Sequence, residues 1–228
     1  MKMIKGLMFD LDGTLLDRTK SLQEFVCKQY DRYIDSLEKV TLQSYMDDFL
    51  NYDQNGYKHK KKVYRSIVEK YKLNQEWYDL LLDDYYKEFH NHCLPVDGLD
   101  EVISYLQRSS LTIGLITNGE TMFQTKTIEA LSLEDVFHCI LISEKEGIKK
   151  PSAEFFLRGL RLLDLQPIET VLVGDHPTND IHAAKKLGMY TIWVKNAHYE
   201  KPRDTDFTID SLSEIPEIIQ SFNKGEST

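Results

Sequence analysis

The 228-residue sequence predicts an α/β fold: a doubly wound parallel sheet, Rossmann-like, interrupted after its first strand by an inserted α-helical bundle. Three observations carry this. A short apolar run, Ile4 to Phe9, ends in two carboxylates, Asp10 and Asp12, one residue apart. From Asp17 to about His92, apolar residues recur at helical steps of three and four. Beyond Leu99, strand-length apolar runs alternate with helical stretches.

The first run suits a buried strand. Strand side chains alternate, so Asp10 and Asp12 project the same way if extended geometry holds through Leu11. Two carboxylates at the end of a buried strand repel, and a divalent cation is the usual compensation. The helical stretch follows. Leu22, Phe25, Val26, Tyr30 and Ile34 mark one amphipathic face, and Leu42, Tyr45, Met46, Phe49 and Leu50 a second. Val63, Ile67 and Tyr71, then Trp77, Leu80, Leu81 and Tyr85, mark two more. Breaks fall near Leu37–Val40, near Asn51–Gly56 and at Asn74. These aromatics read as core.

Leu94-Pro95-Val96-Asp97-Gly98 is a connector. A helix is expected from Leu99 to Gln107 and a strand from Leu111 to Thr117, ending at Asn118-Gly119. A helix from Thr121 to Leu131, a strand around His138 to Ile142 and a helix from Ala153 to Leu163 come next. The strand Thr170 to Gly174 ends at Asp175. A helix from Asn179 to Leu187 stops at Gly188, a C-cap residue. A strand from Tyr190 to Val194, a short one near Asp206 to Ile209 and a polar, frayed tail from Asn223 complete the chain. The catalytic core is therefore expected over residues 1–16 and 94–228, and the helical insert over 17–93. The two connectors can act as a hinge.

Composition narrows the class. A hydrophobic fraction of 41% with 29% charged residues describes a soluble globular protein. The net charge of −9 argues against a nucleic-acid polymer as partner, and an anionic substrate would need a local positive field. Three scattered cysteines, Cys27, Cys93 and Cys139, argue against a disulfide framework and for a reducing, cytoplasmic location. There is no signal-peptide pattern, and no run approaches the ~18–20 apolar residues of a membrane span.

The chemistry-bearing residues stand at strand ends, where open parallel sheets bind ligands. Asp10 and Asp12 follow the first strand and Thr117 and Asn118 the second. Asp175, with Asp180 five residues on, follows the strand that begins at Thr170, and Lys149 and Lys150 precede Pro151 before a helix. Each alone reads as a turn, a helix entry or solvated surface. Together they supply carboxylates for a metal, a hydroxyl and amides for an anion, and a fixed positive charge. With no cysteine or histidine cluster, the oxygen-rich set favours Mg²⁺ over zinc.

In these motifs the sequence resembles the haloacid dehalogenase-like (HAD) superfamily of phosphohydrolases. The matching residues are Asp10-Leu11-Asp12-Gly13-Thr14, Thr117 within Ile116-Thr117-Asn118-Gly119, Lys150 within Lys149-Lys150-Pro151, and Gly174-Asp175 through Asp180. The resemblance spans nearly the whole chain. It implies a C1-type helical cap at the insert, and a first strand flanked by those carrying Thr117 and Asp175. It also implies Asp10 as nucleophile and Mg²⁺ ligand, and an aspartyl-phosphate intermediate. Asp12 is then the proton donor and acceptor, lending its main-chain carbonyl to the metal. Asp175 is a further ligand, and Asp180 either joins the metal set or orients a metal-bound water or Lys150. Thr117, Lys150 and the amides near Leu11 and Asn118 hold the phosphoryl oxygens. Asp12 and Asp175 favour phosphoryl transfer over dehalogenation, which needs neither. The expected partner is a small phosphorylated metabolite, of the nucleotide or sugar phosphate class. A phosphosugar mutase with the same covalent chemistry and a non-catalytic binding module are the alternatives.

The insert holds one unusual stretch, Asp53-Gln54-Asn55-Gly56-Tyr57-Lys58-His59-Lys60-Lys61-Lys62. It reads either as the solvated start of a helix or as a substrate-specificity loop presenting Tyr57, Lys60 or Arg65. His176 faces substrate or water, or has a plain loop role.

Overall fold

A computed structural model describes residues 3–33 and 40–224. The chain divides into two compact units, Met1–Asp17 with Pro95–Thr228, and Arg18–Leu94.

The first unit is built on a six-stranded parallel sheet of order β3-β2-β1-β4-β5-β6. Its strands are β1 (Gly6–Phe9), β2 (Thr112–Thr117), β3 (Cys139–Ile142), β4 (Thr170–Gly174), β5 (Tyr190–Val194) and β6 (Phe207–Ile209). The central β1 is buried throughout, which explains its unbroken apolar composition. Leu7 and Phe9 join Val171 and Val173 of β4 in the core on one face, and Met8 joins Leu172 in the core on the other. The first core is completed by α5 (Leu99–Arg108) and α10 (Ile215–Lys224), through Val102, Leu106, Ile215, Ile219 and Phe222. Phe155, Phe156 and Leu160 of α8 (Ala153–Leu162) complete the second. In the register, Phe9 at the end of β1 lies opposite Leu115 of β2 and Val173 of β4, so β4 runs one residue and β2 two residues past that level. The order reverses beside β1, which makes those ends the switch point of the sheet.

The helical unit contains four α-helices among the described residues: α1 (Arg18–Tyr33), α2 (Leu42–Asp53), α3 (Lys60–Lys70) and α4 (Gln75–Glu88). Thr41, His59 and Asn74 cap α2, α3 and α4 by accepting from main-chain N–H groups. Phe25, Tyr45, Phe49, Tyr64 and Leu81 fill its core. No described helix is long and apolar enough to cross a membrane.

Several expectations change. A wide turn of π-type, Pro177–His182, followed by α9 (Ala183–Lys186), replaces a continuous helix from Asn179. The side chain of His176 starts this turn, its Nδ1 accepting from the N–H groups of Thr178 and Asn179 at 3.1 Å each. The helix α10 occupies a stretch to which the sequence pattern assigned no element, although Ile215, Ile218, Ile219 and Phe222 have helical spacing, and it runs on through Asn223 and Lys224, expected as frayed tail. A short helix, α7 (Ser143–Glu146), also escaped the periodicity. The end of the first amphipathic pattern at Ile34, most of the break near Leu37–Val40 and the end of the tail lie outside the described residues.

Candidate active site

The sheet brings the predicted strand-end residues together. Asp10 directly follows β1, its N–H still donating to Val173 of β4 at 3.0 Å. A tight turn then reverses the chain, with Leu15 and Leu16 donating to the carbonyl of Leu11. Gly13 lies in the left-handed region at φ +84°, and a Cβ there would lie 2.2 Å from Oδ2 of Asp175. Glycine is thus required twice, for the turn and for the approach of a second strand's carboxylate.

Carboxylate oxygens of Asp10, Asp175 and Asp180 lie within 4.8 Å of one another, and all three residues are buried. Lys150, also buried, donates from Nζ to Oδ1 of Asp10 at 2.5 Å and to Oδ1 of Asp180 at 2.7 Å. The other oxygen of Asp180 accepts from the His176 N–H at 3.0 Å. Both oxygens of Asp180 are therefore engaged by the protein, as suits a residue that orients Lys150 and the following turn. Thr14 donates to Asp10 at 3.2 Å, and Asn196 to Asp175 at 2.7 Å.

The electrostatics are those of a site short of positive charge. Burial, reinforced by Asp180, pushes the Asp10 carboxyl up to about 6 despite the adjacent Lys150. Burial and the charges of Asp10 and Asp180 raise Asp175 well above the usual carboxylate range. Burial alone would lower Lys150, but Asp10 and Asp180 outweigh it and hold the ammonium protonated. An all-oxygen, buried, anionic donor set of this kind fits Mg²⁺.

Thr117, the last residue of β2, is 1% exposed, and its Oγ1 has no hydrogen-bond partner. A buried hydroxyl left without a protein partner is the pattern of a group awaiting a ligand. The Asn118 side chain clasps the main chain of Lys150, accepting from its N–H at 2.8 Å and donating to its carbonyl at 3.0 Å. That pair fixes the loop carrying the lysine. The side-chain amide of Asn118 is thus occupied in placing Lys150, and the phosphoryl contact expected near Asn118 is one for its main-chain N–H.

Periodicity did not single out Gln124, although its position is informative. It lies on α6 (Thr121–Ala130), is 3% exposed, and donates to Oδ2 of Asp12 at 2.7 Å and to the Asn118 carbonyl at 3.0 Å. With Thr127 and Ile128 it makes the buried face of α6. A pattern search that counts only apolar residues passes over a glutamine there. Asn196 and Trp193, whose Nε1 donates to the Asp175 main-chain oxygen at 2.6 Å, were likewise unmarked.

In the helical unit, Tyr57 is exposed and Arg65 lies over the Tyr78 ring. Lys60 is not a solvated residue: it is buried and ion-paired with Asp53, over the ring of Tyr85. The lysine run is thus split, with Lys60 turned inward while Lys61 and Lys62 are exposed.

A parallel sheet with this acid cluster at its switch point defines a hydrolase of the HAD type. The profile of the haloacid dehalogenase-like hydrolase family matches residues 7–194, and the chain belongs to that family. The chain is 28% identical to a glyceraldehyde 3-phosphate phosphatase from Pyrococcus furiosus, over 98% of this chain and 96% of that one. It is 25% identical to a phosphoglycolate phosphatase from Chromobacterium violaceum, over 97% and 99%. Among solved structures, the magnesium-bound putative HAD-hydrolase YfnB from Bacillus subtilis superposes with a TM-score of 0.77 at 22% identity, covering 96% of this chain and 99% of the other.

Proposed function

We propose that the protein is a Mg²⁺-dependent phosphatase acting on a small phosphate monoester of the nucleotide or sugar phosphate class, through an aspartyl-phosphate on Asp10. The carrying observation is the buried Asp10, Asp175 and Asp180 cluster beside Lys150, with the unpartnered Thr117 hydroxyl nearby. The phosphatase names of relatives that match nearly the whole chain support hydrolysis over transfer to a second sugar hydroxyl.

Asp10, Asp175 and the main-chain carbonyl of Asp12 would hold Mg²⁺, with Asp180 beside them, and the ion would neutralise charge on the phosphoryl group and the attacking carboxylate. An Asp10 oxygen attacks phosphorus, and the ester oxygen leaves with a proton from the Asp12 side chain. Asp12 then takes a proton from the water that attacks the aspartyl-phosphate. That step releases inorganic phosphate and restores the Asp10 carboxylate. Lys150, Thr117 and the N–H of Asn118 hold the phosphoryl oxygens. The helical unit, Tyr57 included, acts as the cap that selects the substrate.

The test is phosphate release from a panel of cellular phosphate esters with Mg²⁺ and with chelator. Wild type should turn over members of the panel only with Mg²⁺. Asp10→Asn should lose at least about 10³-fold in kcat, since removing a nucleophile removes the covalent route. Wild-type turnover by Asp10→Asn would overturn the assignment.

A further inference from the structure

We propose that Gln124 is a positioning residue for Asp12, holding the carboxyl that trades the proton with the leaving group. This rests on the phosphatase reading in which Asp12 is the general acid.

The amide of Gln124 can be oriented in only one way. Its Nε2 meets Oδ2 of Asp12 and the main-chain oxygen of Asn118, and a peptide carbonyl can only accept, so the amide nitrogen must face that side. Both amide hydrogens are thereby used. Its Oε1 is buried with no hydrogen-bond partner. An acceptor buried in this way is a cost, and a leucine or methionine of similar volume on this helix face would avoid it. Stability alone does not explain a glutamine here; the bond to Asp12 does.

The surroundings are shaped around that amide. A Cβ on Gly119 would lie 2.4 Å from Nε2 of Gln124, so glycine at this position leaves the passage through which the side chain reaches Asp12. The second acceptor belongs to Asn118, whose own side chain holds the Lys150 main chain. Asp12, Gln124, Asn118 and Lys150 thus form one hydrogen-bonded sequence. It ties the proton-transfer group to the loop that carries the phosphoryl-binding lysine. A small displacement of a catalytic acid is enough to slow a reaction whose transition state needs its proton.

The dependence on leaving group separates positioning from a general structural role. An alkoxide needs a proton as it departs, whereas nitrophenolate leaves readily as the anion. Gln124→Met keeps the volume and removes the donor. With Mg²⁺ present, it should lower kcat/KM for an alkyl phosphate about 10–100-fold, the range seen when a supporting hydrogen bond is removed. The loss for 4-nitrophenyl phosphate should be several-fold at most. Gly119→Ala should give the same split by steric displacement of the amide, which covers the case in which Gln124→Met does not fold. In an Asp12→Asn background, Gln124→Met should cost nothing further, because the group it positions is gone. Equal losses on both esters, no loss on either, or full additivity with Asp12→Asn would overturn the proposal. A wild type that hydrolyses neither ester would overturn the phosphatase reading and this inference with it. Wild-type turnover lost in Asp10→Asn, but with no leaving-group split in Gln124→Met, would overturn this inference alone.

Discussion

In the helical unit, buried Asp53 accepts from Arg18 at 2.8 Å, from the Gly56 N–H at 2.8 Å and from Lys60. In the α/β unit, Lys150 pairs with Asp10 and Asp180, while the clustered Asp175 accepts from the neutral amide of Asn196. Burial would raise both sets of carboxyls. Around Asp53 the two cations outweigh it and hold the acid below the usual range, while Asp10 and Asp175 stay raised. The difference teaches what each cluster is for. An acid matched by cations on its own unit is finished when the chain folds. An acid cluster short of cations leaves the folded chain under repulsion, which the Mg²⁺ of the proposed function would relieve.

Breaking the balanced cluster should have the largest effect on stability. Lys60→Met leaves Arg18 as the one cation paired with Asp53 among the described residues and should cost about 2 kcal/mol, or roughly 4–8 °C in Tm. Calorimetry reads the shift, and an unchanged Tm would mean that the pair contributes nothing net. The unbalanced cluster should respond in the opposite direction. Asp175→Asn removes a carboxyl whose ionisation burial and its acidic neighbours oppose, while still offering Asn196 an oxygen to donate to. Without Mg²⁺ its Tm should rise by a few degrees, about 1 kcal/mol, and the Tm increase that Mg²⁺ gives wild type should disappear. A Mg²⁺ response that survives this substitution would count against Asp175 as a ligand.

The smallest effect is in the pH dependence, where the two clusters have opposite signs. Asp53 has a lowered folded value, so its contribution is present above about 4 and is lost as pH falls further. Asp10 is raised to about 6, so its ionised form strains the metal-free protein. Lowering the pH from 7 to 5 protonates it in the folded state first and should stabilise the metal-free chain, by on the order of 1 kcal/mol. Excess Mg²⁺ should cancel that gain by favouring the carboxylate. Denaturant melts at both pH values, with and without Mg²⁺, check the sign.

Much of this was legible in the sequence, for identifiable reasons. The sheet is parallel and buried, so its strands read as uninterrupted apolar runs. The polar residues of the site directly follow or end those runs, so the positions of Asp10, Asp12, Thr117 and Asp175 at one edge of the sheet could be read in advance. Lys60 did not read correctly because a run of lysines resembles solvated surface, and the partner that turns one of them inward, Asp53, lies seven residues earlier across a turn. Gln124 was illegible because a buried amide on a helix interrupts the apolar pattern that marks the buried face. The turn at Pro177–His182 was read as the start of a helix because its residues differ from helical ones mainly in how His176 and Asp180 tie it down.

The hydrogen bond from Trp193 to the Asp175 carbonyl has a practical consequence. The chain has two tryptophans, and the other, Trp77, belongs to α4. Trp77→Phe would leave one buried indole, bonded to the main chain of a residue whose carboxylate belongs to the acid cluster. Its emission is then a native optical reporter of the site. Titrating that variant with Mg²⁺ should give a saturable fluorescence change, and hence an affinity for the cation before any substrate is known.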